Sequence, residues 1–180
     1  SPVALPHLSQ IRRSGGSVVD EYLRAVALVG AFTIPLFAVV NIAAYPMIFA
    51  LFGNQWGESA DLATILAFWA ILQSLHCFAA HALMATGQEK LVLIRSLVLF
   101  FSRLILIAAA AVYSLKYVAY GFVLSGLIDF LLTTAILRSA LNLSTRRFLM
   151  AHLPNFIVAA SCWSTLKLMT QFIQFESMNP

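Results

Sequence analysis

The chain has 180 residues, of which 61% are hydrophobic and only 10% are charged, against roughly 25% charged residues in a soluble domain. Eleven basic and seven acidic residues are too few to cover a soluble fold, whereas a lipid-facing surface needs no such cover. The formal net charge of +4 comes from bases scattered between apolar segments, which excludes a nucleic-acid interface and favours a membrane protein with basic cytoplasmic loops.

The first segment, 1–21, contains two prolines and a pair of adjacent glycines, which end helices or form turns. We predict that it holds the end of a preceding helix followed by a cytoplasmic loop. Residues 22–175 are predicted to form a membrane helix bundle, and 176–180 a polar tail. Because the chain starts without methionine, we expect it to be a fragment of a longer protein.

Five apolar segments are long enough to cross a bilayer, because about 20 helical residues span a hydrocarbon core of about 30 Å. The predicted transmembrane helices are 22–44, 61–85, 91–113, 118–137 and 156–175. The stretch after the first of them is predicted to be an extension or an interfacial piece. Short connections make neighbouring helices antiparallel, and the absence of strictly alternating segments argues against a β-barrel. The sequence therefore predicts an all-α integral membrane protein, a bundle of about five transmembrane helices.

The loop charges predict an orientation, because basic loops stay in the cytoplasm. The side predicted to be outside carries Lys116 with Glu58 and Asp61 nearby. The remaining loop bases fall on the predicted cytoplasmic side: Arg12, Arg13, Arg24, Lys90, Arg95, Arg138, Arg146 and Arg147.

Four passages resemble one family. They are VALPHLSQIR, EYLRAVALVGAFTIPLFAVVNIAA, YPMIFALFGNQWGESADLATILAF and ALMATGQEKLVLIRS. Their order and spacing resemble the C-terminal half of a polysaccharide transporter, an O-antigen or exopolysaccharide flippase of the multidrug/oligosaccharidyl-lipid/polysaccharide exporter superfamily. The L-F-G-x-x-W pattern in the third passage, followed by a small-residue turn and a new helix, is the most specific of the four.

The resemblance implies one lobe of a two-lobed exporter in the bacterial inner (cytoplasmic) membrane. Such a transporter flips a lipid-linked oligosaccharide, a polyprenyl-pyrophosphate sugar, for the biosynthesis of lipopolysaccharide or another polysaccharide. The implied partners are that lipid-linked oligosaccharide, membrane lipid, a coupling proton or sodium ion, and a missing N-terminal lobe of the same chain. It implies no enzyme activity, no catalytic residue and no cofactor.

Ionisable residues inside the predicted spans are candidates for function, because burying charge in a membrane is costly. Arg103 lies about 12 Å beyond Arg95 along one predicted helix, and Asp129 lies about 13 Å before Arg138 on the next. Counted from the cytoplasmic side, the two are at matching depth. We therefore weigh a structural or coupling ion pair between Arg103 and Asp129 against a substrate-binding Arg103 that faces a cavity and attracts pyrophosphate or acidic sugars.

Three further residues are predicted to bind substrate. Lys167 lies midway in the fifth span and is either a second cavity cation or a residue that reaches water. His76 and Gln73 belong to the most polar span interior, which predicts a cavity wall, although His76 also fits a hydrogen-bonded core residue. Cys77 and Cys162 lie in apolar segments without metal-ligand spacing, so no metal site is predicted.

Three alternatives to the flippase remain. A multidrug extrusion transporter of the same superfamily would favour acidic and aromatic groups around a cationic drug, whereas the charges here are mostly basic. A membrane glycosyl or acyl transferase would need paired acids or a His–Asp arrangement at a membrane face, which the sequence does not provide. A non-transporting membrane subunit is the third alternative.

The predicted orientation can be tested by cysteine labelling after Cys77 and Cys162 have been replaced. A cysteine at Asn54 should react with an impermeant thiol reagent added outside the cell, and one at Gln88 should react only after the membrane is opened. The reverse labelling pattern would show that the orientation is inverted.

Overall fold

A computed structural model describes residues 4–177, with side chains described for residues 8–169. Residues 1–3 of the predicted first loop and 178–180 of the predicted polar tail lie outside the described residues. The described range contains helices and turns but no strand. The helices are α1 (Ala4–Arg13), α2 (Val18–Phe52), α3 (Gly57–Leu75), α4 (Ala79–Ala85), α5 (Glu89–Ala111), α6 (Leu115–Leu141) and α7 (Thr145–Ser177), with one 3-10 turn (Asn54–Trp56) before α3.

Four helical segments in the described range are long and apolar enough to cross a membrane: Val18–Phe52, Asn54–Ala85, Glu89–Ala111 and Leu115–Leu141. The predicted all-α membrane fold is thus confirmed. The predicted fifth span, 156–175, lies within α7, which is helical throughout but does not reach the same apolar character. Arg146, Arg147 and Lys167 all lie on this helix.

The ends of α2 follow from local chemistry. The Ser17 side chain accepts a hydrogen bond from the backbone N–H of Asp20, as an N-cap residue does. At the other end, Gly53 has a φ of +85°, which favours glycine and stops the helix. The helix therefore continues through the stretch predicted as an extension or interfacial piece.

The second predicted span, 61–85, is interrupted rather than continuous. Helix α3 ends at Leu75 and α4 begins at Ala79. The intervening residues 76–78 contain neither glycine nor proline, so neither of the usual helix breakers causes the interruption. At this break, the side chain of His76 is hydrogen-bonded to residues of two neighbouring helices, Tyr22 on α2 and Thr134 on α6.

The long helices pack in the spatial order α7, α2, α3, α6, α5, and the short helices α1 and α4 pack against each other. Helix α5 lies at one end of this row and has no fully buried residue. Its large apolar side chains point outward, as expected of a helix that contacts lipid.

The hydrophobic core lies at the end of the bundle where α2 begins and α6 ends. It joins the start of α2 to α4, to the end of α6 and to the start of α7, with α1 covering part of it. Its largest buried members include Leu8, Tyr22, Val26, Leu83, Leu137 and Phe148. This is the end of the bundle that the loop charges place in the cytoplasm.

Glycines allow α6 to approach both of its neighbours closely. A Cβ atom at Gly126 would lie 2.8 Å from Cδ1 of Trp69 on α3, which is too close for any side chain. A Cβ atom at Gly121 would lie 3.5 Å from the carbonyl oxygen of Leu106 on α5, an ordinary contact. The α3–α6 interface therefore depends on Gly126 more strictly than the α5–α6 interface depends on Gly121.

Replacement of Gly126 by Ala should destabilise the bundle, because overpacking a filled interface costs about 1–3 kcal/mol. Gly121→Ala is the matched control on the same helix. Both substitutions gain up to about 1 kcal/mol of helix propensity, so the difference between them isolates the contact with Trp69. The measurement is thermal unfolding of the detergent-solubilised protein, and equal melting temperatures for the two variants would contradict the packing.

Candidate functional site: a charged groove between α3, α5 and α6

A groove of about 790 Å³ lies between α3, α5 and α6. Its volume is within the range of small-molecule sites, about 300–1,000 Å³. Apolar side chains of α5 form much of the wall, and ionisable and amide side chains project from all three helices. The lining residues are Trp69, Gln73, Arg95, Ser96, Leu99, Phe100, Arg103, Leu104, Ile107 and Asp129.

Asp129 on α6 forms an ion pair with Arg95 on α5. The Arg95 Nη2 donates to Asp129 Oδ1 at 2.6 Å, and the Arg95 Nε donates to the hydroxyl of Thr133 at 2.6 Å. The Thr133 hydroxyl in turn donates to Asp129 Oδ1 at 2.8 Å. The Arg95 and Asp129 side chains are only 14% and 11% exposed, so this pair is largely removed from solvent.

Gln73 on α3 connects this pair to a second arginine. The amide orientation is assigned from its neighbours: the nitrogen donates to Asp129 Oδ2 at 3.2 Å, while the oxygen accepts from Arg103 Nη2 at 3.0 Å and from the indole N–H of Trp69 at 3.1 Å. The guanidinium carbon of Arg103 also lies 5.9 Å from the centroid of the Trp69 ring. The buried Nε of Arg103 has no hydrogen-bond partner among the described residues.

The predicted direct ion pair between Arg103 and Asp129 is therefore wrong: Asp129 pairs with Arg95. The prediction counted depth from the cytoplasmic ends of the helices, but the short connection between α5 and α6 fixes their register. Asp129 lies fourteen residues, about 21 Å, from Leu115 at the start of α6. Arg95 lies sixteen residues, about 24 Å, from Ala111 at the end of α5, whereas Arg103 lies only about 12 Å from it.

His76, predicted to bind substrate, is a buried core residue outside the groove. It is 6% exposed, and the Tyr22 hydroxyl lies 2.7 Å from its Nδ1. Its Nε2 lies 2.9 Å from the hydroxyl of Thr134, which already donates to the carbonyl oxygen of Phe130. The Nε2 is therefore the donor and Nδ1 the acceptor, so both ring nitrogens are satisfied by protein.

Lys167, the second predicted cavity cation, is exposed on α7 and does not line the groove. Its Nζ lies 4.7 Å from the ring centroid of Trp163. Helix α7 packs against α2, whereas the groove is bordered by α5 at the other end of the helix row. Of the four predicted substrate-binding residues, the structure thus brings Arg103 and Gln73 into one groove and places His76 and Lys167 elsewhere.

Sequence reasoning missed Trp69 and Thr133 and treated Arg95 as a residue at the cytoplasmic boundary. Trp69 lies four residues before Gln73, a spacing that places both on one helix face. Thr133 lies four residues after Asp129, so the same spacing places these two residues on one face of α6. Within the described residues, no group of three or more His, Cys, Asp or Glu side chains is arranged to hold a metal ion.

The groove is lined by one carboxylate and two guanidinium groups. The acid is occupied by Arg95 and Thr133, and what remains for a ligand is one guanidinium beside an indole ring. The protein is thus defined as a multi-pass helical membrane protein with a charged groove inside its membrane span.

Comparison with known proteins agrees with the resemblance seen in the sequence. Residues 1–61 match the family model described as "Polysaccharide biosynthesis protein", so the resemblance to polysaccharide transporters is confirmed over this N-terminal part. The match indicates a role in polysaccharide biosynthesis or transport. Neither the comparison with curated proteins nor that with solved structures gives a match.

Charge exchange can distinguish the two arginines. Asp129→Ala should lower the amount of folded protein in the membrane, because removing one partner of a buried ion pair costs about 3–5 kcal/mol. Exchanging the pair, with Arg95→Asp and Asp129→Arg together, should partly restore it. The matched exchange of Arg103→Asp with Asp129→Arg should not. If the Arg103 exchange restored the amount of folded protein and the Arg95 exchange did not, the ion-pair partner of Asp129 would be Arg103.

Proposed function

We propose that the protein containing this chain flips a lipid-linked oligosaccharide, a polyprenyl-pyrophosphate sugar, across the bacterial cytoplasmic membrane for polysaccharide biosynthesis. This bundle would be one lobe of the transporter, facing a second lobe of the same protein across the transport path. The work is movement of the lipid-linked sugar between leaflets, without covalent chemistry. Exchange with protons or sodium ions would supply the energy.

The observation that carries the proposal is the position of Arg103. It lies about 12 Å from the Ala111 end of α5, in a groove whose acid is already paired with Arg95. Its positive charge is solvated by the Gln73 amide and by the face of Trp69, both neutral groups. A membrane protein maintains such a charge at considerable cost, and it is usually functional.

A charge in this position addresses the physical difficulty of the transport. The polar oligosaccharide of the substrate must leave water, and polar or charged groups without partners in a medium of low dielectric constant cost several kcal/mol each. A guanidinium inside the membrane lowers this cost by bonding to sugar hydroxyl groups and by pairing with an acidic group on the sugar. The pairing also remains weak enough for release, because Arg103 can return to the Gln73 oxygen when the substrate leaves.

The proposal is tested in cells by deleting the gene for the full-length protein and measuring surface polysaccharide and lipid-linked oligosaccharide. Deletion should remove the surface polysaccharide while lipid-linked oligosaccharide accumulates inside. Unchanged surface polysaccharide together with increased drug sensitivity would replace the flippase with the multidrug alternative. An unchanged phenotype in both assays would favour a non-transporting subunit.

Point variants then test the role of Arg103. Arg103→Gln should lower the transport rate by about tenfold or more, because a charge-assisted hydrogen bond contributes about 1.5–3 kcal/mol. Arg103→Lys should retain more activity, since it keeps the charge and loses only the planar fork. Lys167→Gln is the control, because it removes a cation outside the groove, and it should have little effect. Equal losses in Arg103→Gln and Lys167→Gln at normal protein levels would contradict the assignment of the groove.

A further inference from the structure

Trp69 is held rigidly in the wall of the groove. Its indole N–H donates to the Gln73 oxygen at 3.1 Å, and its ring packs edge-on against Phe122 with centroids 5.5 Å apart. The ring also lies directly against the backbone of Gly126 on α6, since a Cβ atom there would lie 2.8 Å from Cδ1. The contacts with Gln73, Phe122 and Gly126 fix the ring in one orientation.

The groove combines this fixed aromatic ring with planar polar side chains and an aliphatic wall. Gln73 and Arg103 lie next to the indole, Ser96 and Phe100 line the same cavity, and the remainder is apolar. A pyranose ring has the complementary chemistry. One of its faces is made of C–H groups that pack on an aromatic ring, while hydroxyl groups around its edge bond to amide and guanidinium groups.

We propose that this groove is a carbohydrate site, in which a pyranose ring of the substrate packs on Trp69 while Gln73 and Arg103 bond to its edge. The inference rests on the proposed function and assigns the groove to the sugar part of the substrate rather than to its pyrophosphate. Trp69 would be the residue that determines specificity for a sugar.

The charges of the groove support the sugar over the pyrophosphate. Arg95 and Asp129 neutralise each other, which leaves one positive charge, on Arg103, among the groove-lining residues. A pyrophosphate diester carries two negative charges, so it would leave an excess negative charge near the Asp129 carboxylate. A neutral sugar leaves the Arg103 charge as it is, and a sugar with a single carboxylate compensates it.

Tryptophan fluorescence can test the site directly. In the purified full-length protein, every tryptophan except Trp69 is replaced by Phe, including Trp56 and Trp163 of this chain. The protein is then titrated separately with a neutral disaccharide, with a disaccharide containing glucuronic acid, and with inorganic pyrophosphate. We expect a saturable change in fluorescence with both sugars, at lower concentration for the acidic one because of Arg103, and none with pyrophosphate.

Two outcomes overturn the inference. One is a saturable change with pyrophosphate and none with either sugar; the other is no saturable change with any of the three probes. Neither outcome bears on the phenotype of the gene deletion. If the deletion blocks surface polysaccharide while Trp69 does not respond to sugar, the flippase stands and the carbohydrate site is wrong. If Trp69 responds to sugar while the deletion has no effect on polysaccharide, the site stands and the flippase is wrong.

Variants of Trp69 give an independent measurement in cells. Trp69→Phe keeps an aromatic face and loses the bond to Gln73, so it should retain part of the surface polysaccharide. Trp69→Leu keeps an apolar side chain and loses the aromatic face, so it should lose considerably more at the same amount of membrane protein. Equal activity of the two variants would contradict a role for the aromatic face.

Discussion

Arg95 and Arg103 on α5 both lie near a single acid on α6, Asp129, and the arrangement of the groove depends on which of them pairs with it. Arg95 forms a direct ion pair with Asp129 at 2.6 Å, while Arg103 is linked to Asp129 only through hydrogen bonds to the amide of Gln73. An amide can relay a hydrogen bond but cannot neutralise a charge. The network therefore bonds to both arginines but neutralises only Arg95, which leaves Arg103 with a neutral partner for one nitrogen and none for its Nε among the described residues.

The bundle is fixed at one end and open along one side. At the end where α2 begins, His76 bonds to Tyr22 on α2 and to Thr134 on α6. Its ring also stacks against Phe148 of α7, with centroids 4.7 Å apart. One side chain at the break between α3 and α4 thus joins three other helices. The groove lies on the other side of α3, against α5, which has no fully buried residue.

The amount that the sequence could predict differs between the fold and the site. Apolar length was sufficient for four of the five predicted membrane spans, because the bilayer imposes it, whereas the fifth, 156–175, is not among the helices of the described range that are long and apolar enough to cross a membrane. Apolar length alone does not determine where a helix is interrupted or which side chains of two helices pair. The break at His76 and the partner of Asp129 were therefore not predicted. Counting residues from the short turn between α5 and α6 would have given Arg95 as the partner of Asp129. The covalent connection fixes the register of the two helices, whereas their predicted cytoplasmic ends do not. The groove also needs Trp69, which apolar periodicity cannot distinguish from a lipid-facing residue.

The same contacts explain why His76 and Arg103, both polar residues inside spans, have different roles. Each ring nitrogen of His76 has a protein partner, and the ring is stacked between aromatic side chains, so a ligand would have to break contacts that hold the bundle together. Arg103 has a single neutral partner for one nitrogen, with its Nε unbonded among the described residues. A ligand that bonds to Arg103 costs the fold little, because the Arg95–Asp129 pair stays intact. Polar residues inside a membrane protein are therefore better separated into structural and functional ones by the satisfaction of their hydrogen bonds than by their depth.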